Sequence, residues 1–162
     1  MRDILFKAKR KDNGEWVEGF YFCMVHDDGS HVHHFIMPLG VDLSFGTPIE
    51  KIQVEIDVNT ICQYTGLTDK NGNKIWENDV VEVWWIQRTL DKPIKAKKYK
   101  AVVEFGNPNS LYSWGWQLRF LEDFPFNKDI LLWIDMDEAG AYCEVIGNIF
   151  DNPEAYQPKG EK

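Results

Sequence analysis

Hydrophobic and polar residues alternate with a period of two along most of this chain. Ile4, Phe6 and Ala8 interleave with Leu5, Lys7 and Lys9, and residues 16–22 and 31–37 resume the same rhythm. Between these runs stand 11–14, Lys-Asp-Asn-Gly, and 27–30, Asp-Asp-Gly-Ser. Asn-Gly and Asp-Gly accept positive φ, which tight hairpin turns require. The pattern therefore predicts a three-stranded antiparallel meander. Residues 38–48 hold two Gly and two Pro and read as a loop. Alternation returns at 51–56, breaks at 57–60 and resumes at 61–67. Asp69-Lys70-Asn71-Gly72-Asn73 is a further turn, left through Lys74-Ile75-Trp76. Strands are expected at 80–87, 99–105, 114–120, 130–134 and 142–149, with Val81, Val83, Val103 and Phe105 facing a core. No stretch of ten residues carries a helical period. A short helix or turn is expected after Asn152, with Pro153 at its first position, and 157–162 is expected to fray.

These elements predict a mainly β protein in three parts. Residues 1–60 form an N-terminal β-meander region, 61–150 a barrel of about five strands, and 151–162 a C-terminal tail. The aromatic count, seven Trp, six Tyr and ten Phe, supplies the core such a fold needs.

Charge narrows the function classes. Eighteen basic residues against 26 acidic ones leave a net charge of −8, which excludes a general binder of nucleic acid or anionic membranes. The three cysteines, Cys23, Cys62 and Cys143, are odd in number and far apart, so free thiols in a reducing cytoplasm are expected. No apolar run approaches the ~18–20 residues of a membrane span, and the first residues form no signal peptide.

Three segments together are specific. Gln63-Tyr64-Thr65-Gly66-Leu67-Thr68-Asp69-Lys70-Asn71-Gly72, continued by Ile75-Trp76-Glu77-Asn78-Asp79-Val80-Val81, resembles the central signature of the YopX family of phage and prophage proteins. Residues 2–8 resemble that family's opening. Val145-Ile146-Gly147-Asn148-Ile149-Phe150-Asp151-Asn152-Pro153-Glu154 resembles its close. The sequence departs from the pattern at Asn78, where Gly is common, and in the stretches 27–56 and 88–98. The resemblance implies a β-rich fold with an SH3-like barrel and a phage-derived origin in a bacterial host. It implies no mechanism. The signature residues also read as structure: Asn71-Gly72 as a turn, Gly66 and Gly147 as positions of positive φ or close backbone approach, Tyr64 and Trp76 as core or hydrogen-bonded aromatics.

Chemistry suggests three local candidates. With Asp28-Gly29 at the centre of the second turn, His26 opposes His31 and His33 shares their face, so three imidazoles would hold Zn²⁺ or stand unliganded at a hairpin end. Asp135-Met136-Asp137-Glu138 would bind Mg²⁺ or a basic partner, or end a solvated strand. Arg88, Lys92, Lys95, Lys97, Lys98 and Lys100 oppose Asp91 alone in a connection that follows Trp84 and Trp85. Together with Trp114 and Trp116 these would contact single-stranded DNA or RNA by stacking and phosphate pairing, or form a soluble loop. No phosphate loop, dinucleotide fingerprint, nucleophile elbow or C-x-x-C occurs, and no cofactor is implied. The expectation is a non-catalytic binding or assembly module, homo-oligomeric, with a nucleic-acid-associated protein as the alternative and a metal-dependent enzyme as a third class.

Overall fold

In the computed structural model, residues 4–89, 92–106, 115–122, 130 and 142–156 are described, and at 85–89, 92–96, 142 and 155 the backbone alone. The chain divides into two units between Tyr64 and Thr65. Both are built almost wholly of antiparallel strands, as the alternation predicts.

The first unit contains β1 (Phe6–Arg10), β2 (Trp16–Val25), β3 (Val32–Pro38), a single helical turn α1 (Ile49–Ile52) and most of β4 (Val54–Thr68). The expected meander β1-β2-β3 is present. Gly14 and Gly29 take φ of 75° and 69° at its two turns, and Asp28 Oδ1 accepts the Ser30 backbone N–H at 2.9 Å. Gly19 is required for another reason: a Cβ there would lie 1.9 Å from the Met37 carbonyl oxygen. β4 then pairs with both β3 and β1, so the pairings of the four strands run in a ring. Inside it pack Ala8, Ile36 and Ile56, flanked by Phe6, Val17, Tyr21 and Ile61.

Two expectations need correction here. The alternating stretch 51–56 is strand only from Val54, its first residues lying in the helical turn Ile49–Ile52, because Pro48 pre-sets the start of a turn and Gln53 N–H closes it on the Ile49 carbonyl at 2.8 Å. The break at 57–60 is a bulge in one continuous strand. Lys7 opposes Cys62 while Lys9 opposes Asp57. The surplus residues are held by Asp57 Oδ1, which accepts the Asn59 N–H, and by Thr60 Oγ1, which accepts the Lys9 N–H. A bulge of this kind uses the same residue types as a turn without reversing the chain.

The second unit begins with the end of β4, which pairs with β5 (Lys74–Trp76) across the 69–73 turn. A four-stranded sheet follows in the order β8 (Gly115–Phe120), β7 (Lys92–Gly106), β6 (Asp79–Thr89), β9 (Tyr142–Asn148). Val81, Val83, Ala101, Val103, Leu118 and Cys143 line its core with Ile75, Tyr99, Trp116 and Ile130. Phe105 does not join them. It is 60% exposed, lying against the Trp116 ring with centroids 5.0 Å apart, because β7 runs on past the packed part of the sheet. The basic segment is a strand, not a loop: β6 and β7 pair as far as Thr89 and Lys92. Backbone pairing with β6 overrides the weak strand propensity of its lysines. Among the described residues these pairings form an open order, so the mainly β expectation holds without establishing a closed barrel. Pro153–Tyr156 form the expected terminal turn, as a 3-10 helix. Most of the expected strand 130–134, and the tail 157–162, lie outside the described residues.

Candidate functional site

Most signature residues lie in the second unit, where two of them are buried carboxylates, Asp69 and Asp79. The 69–73 turn folds about Asp69, which is 6% exposed. Its Oδ1 accepts the N–H groups of Asn71 and Asn73, both at 2.8 Å; its Oδ2 accepts Asn73 Nδ2 and the Val145 N–H, both at 3.1 Å. Burial pushes the Asp69 carboxyl up, but these donors outweigh it and hold the group below the usual aspartate range. Gly72 completes the turn at φ 83°. Asp79 does the same for the next corner. Its Oδ2 accepts the Trp76 N–H at 2.8 Å and its Oδ1 the Asn148 Nδ2 at 3.0 Å, while Asn148 Oδ1 accepts the Phe150 N–H. Thr65 Oγ1 donates to the Ile75 carbonyl at 2.7 Å.

Glycine positions of the signature have individual causes. Gly66 sits at φ 84°. Gly147 is needed for proximity, since a Cβ there would lie 2.9 Å from the Tyr156 hydroxyl. Asn78 occupies φ 64°, the left-handed region, which Asn tolerates better than most residues with a side chain. Trp76 is buried, Tyr64 half-buried with its N–H donating to the Leu5 carbonyl, and Gln63 opposes Phe6 across the β1–β4 ladder. Pro153 opens the terminal 3-10 turn. Cys143 lies in the core near both carboxylates, and burial first, then Asp69 and Asp79, pushes its thiol up to about 12. Such a thiol is not a nucleophile at neutral pH.

The β6–β7 ribbon brings part of the basic cluster together. Trp84 stands opposite Lys98 and Glu82 opposite Lys100. The Lys98 and Lys70 ammonium groups lie 4.3 and 4.8 Å from the Trp84 ring centroid. Each is also paired with a carboxylate: Lys98 with Glu82 and Lys70 with Glu144, both at 2.6 Å. Trp84 Nε1–H donates to Glu82 at 2.9 Å. The Lys98 ammonium holds the Glu82 carboxyl below its ordinary range, with Trp84 assisting. Lys97 lies over the Tyr99 ring at 4.3 Å and 3.9 Å from Glu122. Trp116 is in the core rather than on a stacking surface. The carboxylates that neutralise this ribbon come from positions sequence spacing does not connect, namely Glu82, Glu122 and Glu144. The side chains of Arg88, Lys92, Lys95 and Trp85, and Trp114 entire, lie outside what is described.

In the first unit the three histidines do meet. The His26 ring lies 5.9 Å from His31 and 5.5 Å from His33, centroid to centroid, at interplanar angles of 72° and 47°. His31 Nδ1 is hydrogen-bonded with Ser30 Oγ at 2.7 Å, and His33 Nδ1 with Glu55 Oε1 at 3.1 Å. The rings meet tilted and edge-on, with Nδ1 of His31 and Nδ1 of His33 engaged. Among the described residues no group of three His, Cys, Asp or Glu that could hold a metal ion is found. The Asp135–Glu138 run lies outside the described residues. Glu55 is the orienting carboxylate that spacing could not reveal, 22 residues from His33; it also pairs with Lys11 at 2.7 Å. Beside this pair opens a cavity of about 520 Å³, lined by Phe35, Ile49, Val54 and the charged Arg10, Lys11 and Glu55 among others. The loop that precedes α1 is missing from any sequence-based site, because its apolar residues follow no period. It carries Leu39, Leu43 and Phe45 at 41%, 64% and 109% exposure.

Comparison with known proteins adds three findings. The model of the family described as YopX protein matches residues 5–156. A crystal structure of protein EF1440 from Enterococcus faecalis is similar at 22% identity, over 97% of this chain and 100% of that one, with a TM-score of 0.50. That likeness shows the fold alone. No curated protein matches. Among the described residues no helix is long and apolar enough to cross a membrane.

Proposed function

Because the chain belongs to the YopX family, we propose that it is a phage- or prophage-derived accessory protein of the host cytoplasm that works as a non-catalytic binding or assembly module and as a homo-oligomer. One observation carries the reading. The signature's polar side chains, Thr65, Asp69, Asp79 and Asn148, face backbone or one another and close the corners of the fold. A signature used this way maintains a scaffold rather than a reacting centre. The second unit is read as an SH3-like barrel. Native mass spectrometry and sedimentation equilibrium of untagged protein test the assembly. Self-association is expected, and a monomer at all concentrations would count against it.

The basic ribbon favours a second reading, contact with single-stranded nucleic acid, since five lysines fall within β7 and two of them, Lys98 and Lys97, stand opposite Trp84 and Trp85 in the ladder. Replacing Lys95, Lys97, Lys98 and Lys100 with Gln should then weaken oligonucleotide binding and flatten its salt slope by up to about 0.7 for each phosphate no longer neutralised. Wild-type protein that ignores oligonucleotides at low ionic strength ends that reading.

A further inference from the structure

β2 outruns the strand beside it. β1 begins at Phe6, opposite Gly19, whereas β2 and β3 stay paired out to Val25 and Val32. Along a strand with two neighbours, backbone groups point to each side in alternation. The Glu18 carbonyl accepts the Leu39 N–H at 3.3 Å, and the His26 N–H donates to the His31 carbonyl at 3.1 Å. The register between these two bonds is unbroken, so the even-numbered residues of β2 turn their N–H and C=O groups to β3. Tyr21, Cys23 and Val25 turn theirs the other way, past the start of β1. Among the described residues no strand lies there. A backward extension of β1 would set Ile4 opposite Tyr21, but Ile4 belongs to no strand and is 61% exposed.

This edge lacks the usual protection. Residues 19–25, Gly-Phe-Tyr-Phe-Cys-Met-Val, contain no charge and no proline. Cys23 is exposed, as are Met24 at 43% and Val25 at 57%. We propose that β2 of a second copy of this chain completes the edge, antiparallel about a two-fold axis, so that two hairpins join into one four-stranded sheet. This rests on the homo-oligomeric reading above and names its interface. The backbone sets the register, because outward-pointing residues must meet outward-pointing residues. Pairing Cys23 with its own copy uses all three: Tyr21 meets Val25 of the second copy and Val25 meets Tyr21, with about six hydrogen bonds in all. A two-fold centred on Phe22 would call on Gly19, already opposite Phe6, and one centred on Met24 would run into the turn at Asp27. The side chains agree with the Cys23 register. On one face Phe22 lies across from Met24 of the second copy, a sulfur–aromatic pair; on the other Tyr21 lies across from Val25. No like charges are opposed. The contact takes about six residues from each chain, against the ~20–30 a side of a standard interface, so the dimer is weak and reversible.

Sedimentation equilibrium on the full chain, wild type against Cys23→Pro, Cys23→Lys and Cys23→Ser, tests this. Proline removes an N–H that β3 does not use, which an edge strand tolerates. Lysine sets two like charges opposite each other at the axis. Both are expected to raise the dimer dissociation constant at least about tenfold with an unchanged circular dichroism spectrum, while Cys23→Ser stays within about twofold of wild type. In addition, copper–phenanthroline oxidation of wild type should give a dimer disulfide-linked through Cys23, whose two copies would stand about 5.5 Å apart between Cα atoms; Cys62 and Cys143 are buried. Val25→Cys in a Cys23→Ser background should link far less, because its two copies would lie four residues, about 13 Å, apart along the strands. Should wild type self-associate while the Pro and Lys variants do so equally well, or position 25 crosslink as readily as position 23, the β2 edge is not the interface and the assembly reading survives. A wild-type chain that stays monomeric up to about 1 mM removes both and leaves the edge to a strand of another protein.

Discussion

Replacing Asp69 with asparagine changes the volume little and the hydrogen-bonding sign of one atom completely. Four N–H donors converge on the carboxylate, two on each oxygen. Asparagine keeps one oxygen, so whichever way it turns, an NH₂ group faces two donors. Hydrogen bonds to a charged group contribute about 1.5–3 kcal/mol each, and a buried orphaned N–H costs about 1–3 kcal/mol. Easier desolvation of a neutral side chain returns part of this. The net expectation is a loss of about 2–4 kcal/mol at pH 7, read from urea unfolding by linear extrapolation. Asn71→Ala should lose well under 1 kcal/mol, because its side chain reaches only an exposed 3.3 Å contact with Glu144. The pH dependence separates charge from shape. The folded-state pKa of Asp69 lies below its unfolded value of about 3.9. Wild type therefore holds the full advantage above pH ~4 and loses it as pH falls through the lower folded-state value, whereas the asparagine variant has no such dependence at this site. A loss at pH 7 below about 0.5 kcal/mol, the range of ordinary surface substitutions, or a difference that stays constant down to pH 3, would refute the reasoning.

Gly72→Val should destabilise by roughly 1–3 kcal/mol in thermal melts; because a Cβ at this position would meet no atom within 4 Å, Gly72→Asn should recover most of that. Asn78→Gly should be neutral within about 0.5 kcal/mol, while Asn78→Val should cost about 1–3 kcal/mol, as at Gly72, since both sit at positive φ. Ellman's reagent should titrate one fast thiol per native chain, the exposed Cys23, with Cys62 and Cys143 reacting only after unfolding; a fast second equivalent would show that Cys143 is not shielded as its burial requires.

Strand positions are legible in the sequence wherever one face is buried, as in β1, β2 and β6, because burial forces period two. Legibility ends where the backbone, not the side-chain pattern, decides. Residues 92–98 are strand by pairing with β6 and look like a loop by composition. Residues 57–60 interrupt the alternation and are a bulge inside one strand. Phe105 keeps the core phase of Tyr99 and Val103 yet is exposed, lying past the last β6 partner of β7, Val102, and paired with β8 at Trp116. At the candidate sites the turn about Asp28-Gly29 and the meeting of His26, His31 and His33 are readable from hairpin register. The partners that decide their chemistry are not: Glu55 reaches His33 across 22 residues, and Val145 reaches Asp69 across 76. Phe45 is silent in the sequence because a loop residue has no period to betray its exposure.

The Asp69–Val145 bond also sets an order of events during synthesis. The corner at 69–73 acquires its last donor, and β6 its second neighbour, only when Tyr142–Asn148 has left the ribosome. At ~5–20 residues per second, the interval after Asn73 is roughly 4–14 s. The strands of the first unit all precede Thr65 or end just past it, so they can close while the ribosome is still extending the second. During that wait the β6 edge toward β9 is an unpaired template for any passing strand, and nascent chains stalled short of Tyr142 are where misassembly of this protein should concentrate.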